Sequence, residues 1–191
     1  YKVIYPAVKG LKAFFKFAPE DNKEVEFVGR GSAYFDGTGD YIEVEHDMEV
    51  DTGYGTVMFW VKRVSTDSSD YFVDFRGTDS DNTPAGTGIF YASGTSILNH
   101  PTTSSPINPK EYSDGKYLAS TTPRSNVGIW THYCCTNLDL KIDENGFNIG
   151  ARYDNGSNTN MYMKNFAIWE RALTEAEVRS IYVKTYEELT D

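Results

Sequence analysis

Along most of this chain the apolar positions alternate, and near the C-terminal end they change period. In residues 161–169, Met161, Met163, Ala167 and Trp169 fall on one side of an extended strand and Phe166 and Ile168 on the other. Such a segment predicts an interior strand, buried on both faces. After Glu170 and Arg171 the spacing turns helical. Thr174 stands three residues before Glu177, as a capping box requires, and Leu173 is placed to staple onto Val178. Val178, Ile181, Tyr182, Tyr186 and Leu189 then form one apolar stripe. A short helix does not hold itself in water, so the pattern predicts one that closes over a sheet.

Alternation defines the remaining strands. Residues 11–17 set Leu11, Ala13, Phe15 and Phe17 against Lys12, Phe14 and Lys16. Residues 33–35 and 41–45 are short strands joined by Asp36-Gly37-Thr38-Gly39-Asp40, whose glycines permit the positive φ of a tight connection; Ile42 and Val44 point in, Glu43 and Glu45 out. Residues 56–64 form the most hydrophobic strand, with Val57, Phe59 and Val61 on one face and Met58 and Trp60 on the other, which predicts a central position. Residues 71–76, 89–91, 130–136 and 146–153 read as further strands, the last with Phe147, Ile149, Ala151 and Tyr153 on one face. Asp114-Gly115, between Glu111-Tyr112 and Lys116-Tyr117-Leu118, predicts a hairpin. Residues 92–109 lack a period and hold several Ser, Thr and Pro, so they read as a surface excursion of the kind that carries recognition. Residues 1–10, with Pro6, read as an N-terminal arm or linker, and residues 11–191 as one domain. A chain opening on Tyr1 is expected to be processed or excised.

Composition narrows the class. A core within 191 residues can bury roughly 70% of the unfolded surface, enough for a single domain. Abundant Tyr, Phe and Gly with helical spacing only at the end is an all-β profile. The formal charge of -10 argues against nucleic acid or an anionic membrane as partner, because both require clustered Lys and Arg. No apolar run is long enough for membrane insertion as a spanning helix. Cys134 and Cys135 are adjacent, so on a strand they point to opposite faces. We read them as partly buried free thiols, with a strained vicinal disulfide as the alternative.

Five segments in this order carry a resemblance: GSAYFDGTGDYIEV at 31–44, GTVMFWVK at 55–62, WTHY at 130–133, FNIGARYDNG at 147–156 and KNFAIWERALTEAEVRSIY at 164–182. Together they resemble the laminin-G-like, concanavalin A-like jelly-roll superfamily, in the variant found in bacteriophage structural proteins. The resemblance implies a two-sheet antiparallel jelly-roll sandwich with a short C-terminal closing helix, at a virion or extracellular surface. Proteins of this kind bind glycans, often with calcium, or bind other proteins. The same fold hosts lectins, adhesion modules and glycan hydrolases, and the matched segments are scaffold, so no ligand residue transfers.

One enzymatic motif stands out. Glu45-His46-Asp47-Met48-Glu49 reads E-x-D-x-E, which in glucanases of similar fold sets a nucleophile and an acid/base on one strand face around a tuning Asp. Here it runs into Val50-Asp51-Thr52-Gly53, and His46 and Met48 would occupy the face where such glucanases carry aliphatic side chains. We therefore read a solvated acidic connection. There is no nucleophile elbow, P-loop or H-E-x-x-H, and His46, His100 and His132 lack ligand spacing. Calcium is the metal the loop carboxylates suit, with Asp79, Asp81 and Asn82 as the first cluster and Asp36 with Asp40 as a second. The tyrosines offer stacking platforms for sugars without marking which ones serve. The expectation is a non-catalytic recognition or structural module that binds glycans or a neighbouring structural protein. The alternatives are a glycan hydrolase using Glu45 and Glu49 and a purely architectural docking domain.

Overall fold

The structure, a computed structural model, describes residues 10–15, 26–28, 31–44, 50–65, 70–75, 77–78, 84–85, 89–93, 96–100, 109–118, 127–142 and 146–190. Its strands are β1 (Leu11–Phe15), β2 (Glu26–Val28), β3 (Ser32–Asp36), β4 (Ile42–Val44), β5 (Val50–Arg63), β6 (Tyr71–Asp74), β7 (Gly77–Thr78), β8 (Pro84–Ala85), β9 (Ile89–Ser93), β10 (Ser96–His100), β11 (Lys110–Ser113), β12 (Lys116–Tyr117), β13 (Thr131–Ile142), β14 (Phe147–Ile149) and β15 (Asn160–Trp169), followed by helix α1 (Glu175–Thr190). The larger sheet has eight strands in the order β12-β11-β13-β5-β15-β3-β2, with β1 also paired to β15. The second sheet is β10-β9-β6-β14-β4, and β7 and β8 form a separate ribbon. All described pairings are antiparallel, and neither sheet closes into a barrel.

Strand alternation builds the core. On β5, Val57, Phe59 and Val61 face the second sheet, where Phe72, Val73, Phe147 and Ile149 meet them. Phe59 lies at the centre, its ring 5.5 Å from Tyr133, 6.2 Å from Phe72 and 6.4 Å from Phe166. The other parity of the same strand, Met58, points to the opposite face and packs with Tyr112, Cys134, Ala167 and Trp169 under the helix. The large sheet is thus buried on both sides, which is why β5 and β15 read as apolar throughout. Cys134 and Cys135 fall into these two separate clusters and both are free thiols.

On β15 the expected parity fails halfway. Met161 and Met163 share the inner face with Phe166 and Ile168, while Ala167 and Trp169 face the helix. The cause is a β-bulge: the register to β5 runs from Met161↔Arg63 to Lys164↔Trp60, then resumes at Ala167↔Met58 with one extra residue. Asn165 takes that position with φ 51°, a conformation Asn tolerates better than most side chains.

Helix α1 is fixed at its start as the sequence predicts. Thr174 N–H donates to Glu177 Oε2 (2.8 Å) and Glu177 N–H to Thr174 Oγ1 (3.3 Å). Arg171 grips the Glu177 carboxylate with both guanidinium ends (3.0 and 2.6 Å) and, with that cap, lowers its pKa to about 2. Thr56 on β5 ties the turn down, its hydroxyl donating to Arg171 O (2.8 Å) and accepting from Leu173 N–H (3.0 Å). Leu173, Val178 and Ile181 are then buried on the sheet, at about 1.5–3 kcal/mol of apolar transfer each. Farther along, Thr185 Oγ1 accepts from Trp60 Nε1 (2.7 Å) and donates to Ile181 O (2.8 Å), a facing residue outside the apolar stripe.

Three further expectations change. Residues 36–40 do not close a hairpin, because β3 belongs to the large sheet and β4 to the second, so the connection crosses between layers. The strand expected over residues 146–153 ends at Ile149, since Gly150 turns the chain at φ 86° and a Cβ there would lie 2.6 Å from the Phe35 ring. Within residues 92–109, Ser96–His100 pairs with β9 as an ordinary ladder rather than an aperiodic excursion. The Asp114-Gly115 hairpin forms as predicted, with positive φ at both residues (49° and 72°).

Candidate functional site

The outer face of the large sheet is only partly roofed by α1, and beyond the helix contacts it carries a row of large side chains. On β5, Lys62 continues the outward series of Met58 and Trp60. Across the ladder Lys62 pairs with Tyr162, and Tyr162 with Tyr34. The pairing Thr131↔Val61 sets Trp130 opposite Lys62 on the other side. Strands β5, β15 and β3 and the residue just before β13 therefore bring Lys62, Tyr162, Tyr34 and Trp130 into one line, each of them half-buried. The Lys62 ammonium lies 4.3 Å from the Tyr162 ring centre and 5.6 Å from that of Trp130, within cation–π range of both. The Tyr34 and Tyr162 rings are 4.7 Å apart and tilted by 30°.

The end of β5 is held rigid beneath this row. Arg63 points inward, fully buried, and pairs with Asp70 at 3.1 Å. The backbone ties are Val64 N–H to Asn160 O (3.0 Å) and Gly128 N–H to Arg63 O (2.8 Å). The latter bond sets the turn before Trp130 beside β5, and Val64, Val127 and Ile129 expose 41%, 41% and 56% of their surface at this end of the sheet. Flat rings with polar edges, an ammonium and an aliphatic border can stack against a pyranose and donate to its oxygens.

A second concavity, of about 400 Å³, lies between the β11–β12 hairpin and α1, bordered by Asp114, Lys116, Tyr117, Glu175, Arg179 and Tyr182. Its charges are of both signs, and Asp114 is already engaged, Oδ1 accepting from His132 N–H at 3.0 Å. Burial raises the Asp114 carboxyl, and Glu111 on β11 is raised for the same reason. Next to the hairpin, His132 is fully buried, its ring 5.2 Å from Trp60 and 5.6 Å from Tyr182, with neither ring nitrogen hydrogen-bonded. It is a packed ring rather than a surface or ligating histidine.

The sequence-predicted site residues fare differently. Asp79, Asp81 and Asn82 lie outside the described residues, as do Glu45, Asp47 and Glu49. Asp36 and Asp40 are described and serve their own turn: Asp40 Oδ2 accepts from Asp36 N–H (3.0 Å) and Asp36 Oδ1 from Thr38 N–H (2.6 Å). Among the described residues no group of three His, Cys, Asp or Glu side chains could hold a metal ion. Tyr34 and Tyr162 are two tyrosines that the strand register sets side by side. Lys62 and Trp130 carried no local signal, since their meaning depends on register across four strands.

No protein-family model matches the sequence, and no curated protein matches it. Among solved structures the chain is similar to a mutant of Trypanosoma rangeli sialidase displaying trans-sialidase activity, at 14% identity and a TM-score of 0.57, over 96% of this chain and 34% of that one. It is similar to the receptor-binding domain of botulinum neurotoxin mosaic serotype C/D at 12% identity and a TM-score of 0.53, over 85% of this chain and 45% of that one. The binding domain of botulinum neurotoxin serotype D/C aligns at 8% identity and a TM-score of 0.53, over 92% of this chain and 52% of that one. The chain spans between a third and about half of these structures' lengths. At such identities the likeness is one of fold.

Proposed function

We propose that this chain is a non-catalytic recognition module of the laminin-G-like, jelly-roll kind, and that it binds glycans on the outer face of its large sheet. The observation that carries the reading is the half-buried row Trp130, Lys62, Tyr162 and Tyr34, built on regular strands and backed by the buried Arg63–Asp70 pair. Rings held by a sheet lose little freedom on binding, which favours stacking on a saccharide. Two open antiparallel sheets over one core and the order of the sequence motifs support the jelly-roll assignment. Display on a virion or other extracellular surface rests on those motifs alone.

A glycan array followed by titration of the best ligands tests the reading. Trp130→Ala and Tyr162→Ala should each weaken binding about tenfold, the scale of one lost aromatic contact, while thermal melting stays near that of the parent chain. Blank arrays, or hits indifferent to both substitutions, overturn it. Release of reducing sugar from a bound glycan, abolished by Glu45→Gln, would instead establish the hydrolase.

A further inference from the structure

The glycan reading leaves the ligand's charge open, and Lys62 bears on it. We infer that the saccharide taken by this row is anionic, with a carboxylate or sulfate group meeting the Lys62 ammonium; the inference rests on the glycan reading above and deepens it.

Lys62 stands at the middle of the row, half-buried, with an aromatic ring on either side. Its partners among the described residues are those two rings. Arg63, Arg152 and Arg171, by contrast, each meet a carboxylate. In a chain with 28 acidic and 18 basic residues, an ammonium set between rings and paired to no carboxylate among the described residues is out of keeping with the surroundings. Flanking rings displace part of its water while leaving one side open, so a charge brought to that side is screened less than at a free surface.

Donor and acceptor chemistry points the same way. Lys offers donors and no acceptor, so the group it selects on a sugar is an acceptor, and an ionised oxygen is the strongest. Trp130, at the entry to β13, and Tyr162 on β15 flank it on either side, roughly 10 Å apart by sheet spacing, about the length of two linked pyranoses. An acidic ring over Lys62 can then leave a neighbouring sugar on the Tyr162 and Tyr34 rings, whose hydroxyls donate and accept.

The test is titration of the chain with matched pairs: oligogalacturonate against its methyl ester, and a sulfated galactan oligosaccharide against the desulfated form, with poly-glutamate as a non-sugar anion. The expected result is that at least one acidic member binds about tenfold more tightly than its neutral counterpart, with the margin shrinking as salt rises. The pair that responds distinguishes carboxylate from sulfate. Lys62→Met should erase the margin between each acidic member and its neutral counterpart, whatever it does to the neutral affinity, and Lys62→Arg should preserve that margin. Equal binding of acidic and neutral members, or a margin unchanged in Lys62→Met, overturns the inference while the glycan reading stands. Binding of poly-glutamate alone, or of no saccharide at all, overturns both.

Discussion

Lowering the pH tests the buried imidazole of His132. Its ring is enclosed by Trp60 and Tyr182, neither nitrogen has a partner, and burial holds its pKa at about 3 against an ordinary 6.5. The unfolded chain therefore binds a proton that the folded chain refuses. Stability from this residue is complete above pH 6.5 and is lost as pH falls toward 3, at about 1.4 kcal/mol per pH unit. Between pH 6.5 and 4.5 the loss approaches about 2.7 kcal/mol. Two effects work against it: an imidazolium between aromatic faces gains about 1–2 kcal/mol of cation–π attraction. Glu111 and Asp114, raised by burial, bind protons more readily when folded and return some stability on acidification. Urea unfolding at pH 7.5 and 4.5 measures the sum, and His132→Phe isolates the imidazole. The substituted chain should lose about 1–3 kcal/mol less than the parent over that interval. Equal losses in the two chains would refute the argument, because the proton would then be going elsewhere.

Other substitutions probe the frame. Arg63→Leu takes the guanidinium away from the buried Asp70 carboxylate and should cost about 3–5 kcal/mol, with part of it recovered in Arg63→Leu/Asp70→Leu; urea midpoints check both. At the bulge, Asn165→Val puts a β-branched side chain at φ 51° and should cost about 1–3 kcal/mol, whereas Asn165→Gly should stay within about 1 kcal/mol of the parent. Since the row of Trp130, Lys62, Tyr162 and Tyr34 contains no carboxylate, removing calcium with EDTA should leave its glycan affinity unchanged, measured in the same titration with and without added calcium.

What was legible in the sequence was local. Thr174 and Glu177 are three residues apart, so a capping box is visible before any fold is known, and it forms with both hydrogen bonds in place. Asp114-Gly115 announces its turn in the same way, and the parity of Val57, Phe59 and Val61 against Met58 survives into two separate clusters. Parity broke where one residue was inserted into the ladder: Lys164-Asn165 looks like any polar pair in a strand, and the bulge is fixed by β5, a hundred residues away in sequence. The crossing from β3 to β4 was hidden for a related reason, since a glycine turn fits a hairpin and a change of layer equally well. The row at positions 34, 62, 130 and 162 was hardest of all, because four strands must be in register before those side chains become neighbours.

The placement of β15 bears on how the chain is made. It joins β5 on one edge, and β3 and β1 on the other, so the earliest-synthesised strands dock onto one that emerges after residue 159. Until β15 is in place the described pairings leave the large sheet in three unconnected pieces, β12-β11-β13-β5, β3-β2 and β1 alone, each with a bare hydrogen-bonding edge. A nascent chain stalled before that point offers these edges to chaperones, and to the matching strand of another copy, making exchange of β15 between molecules the characteristic misassembly of this architecture.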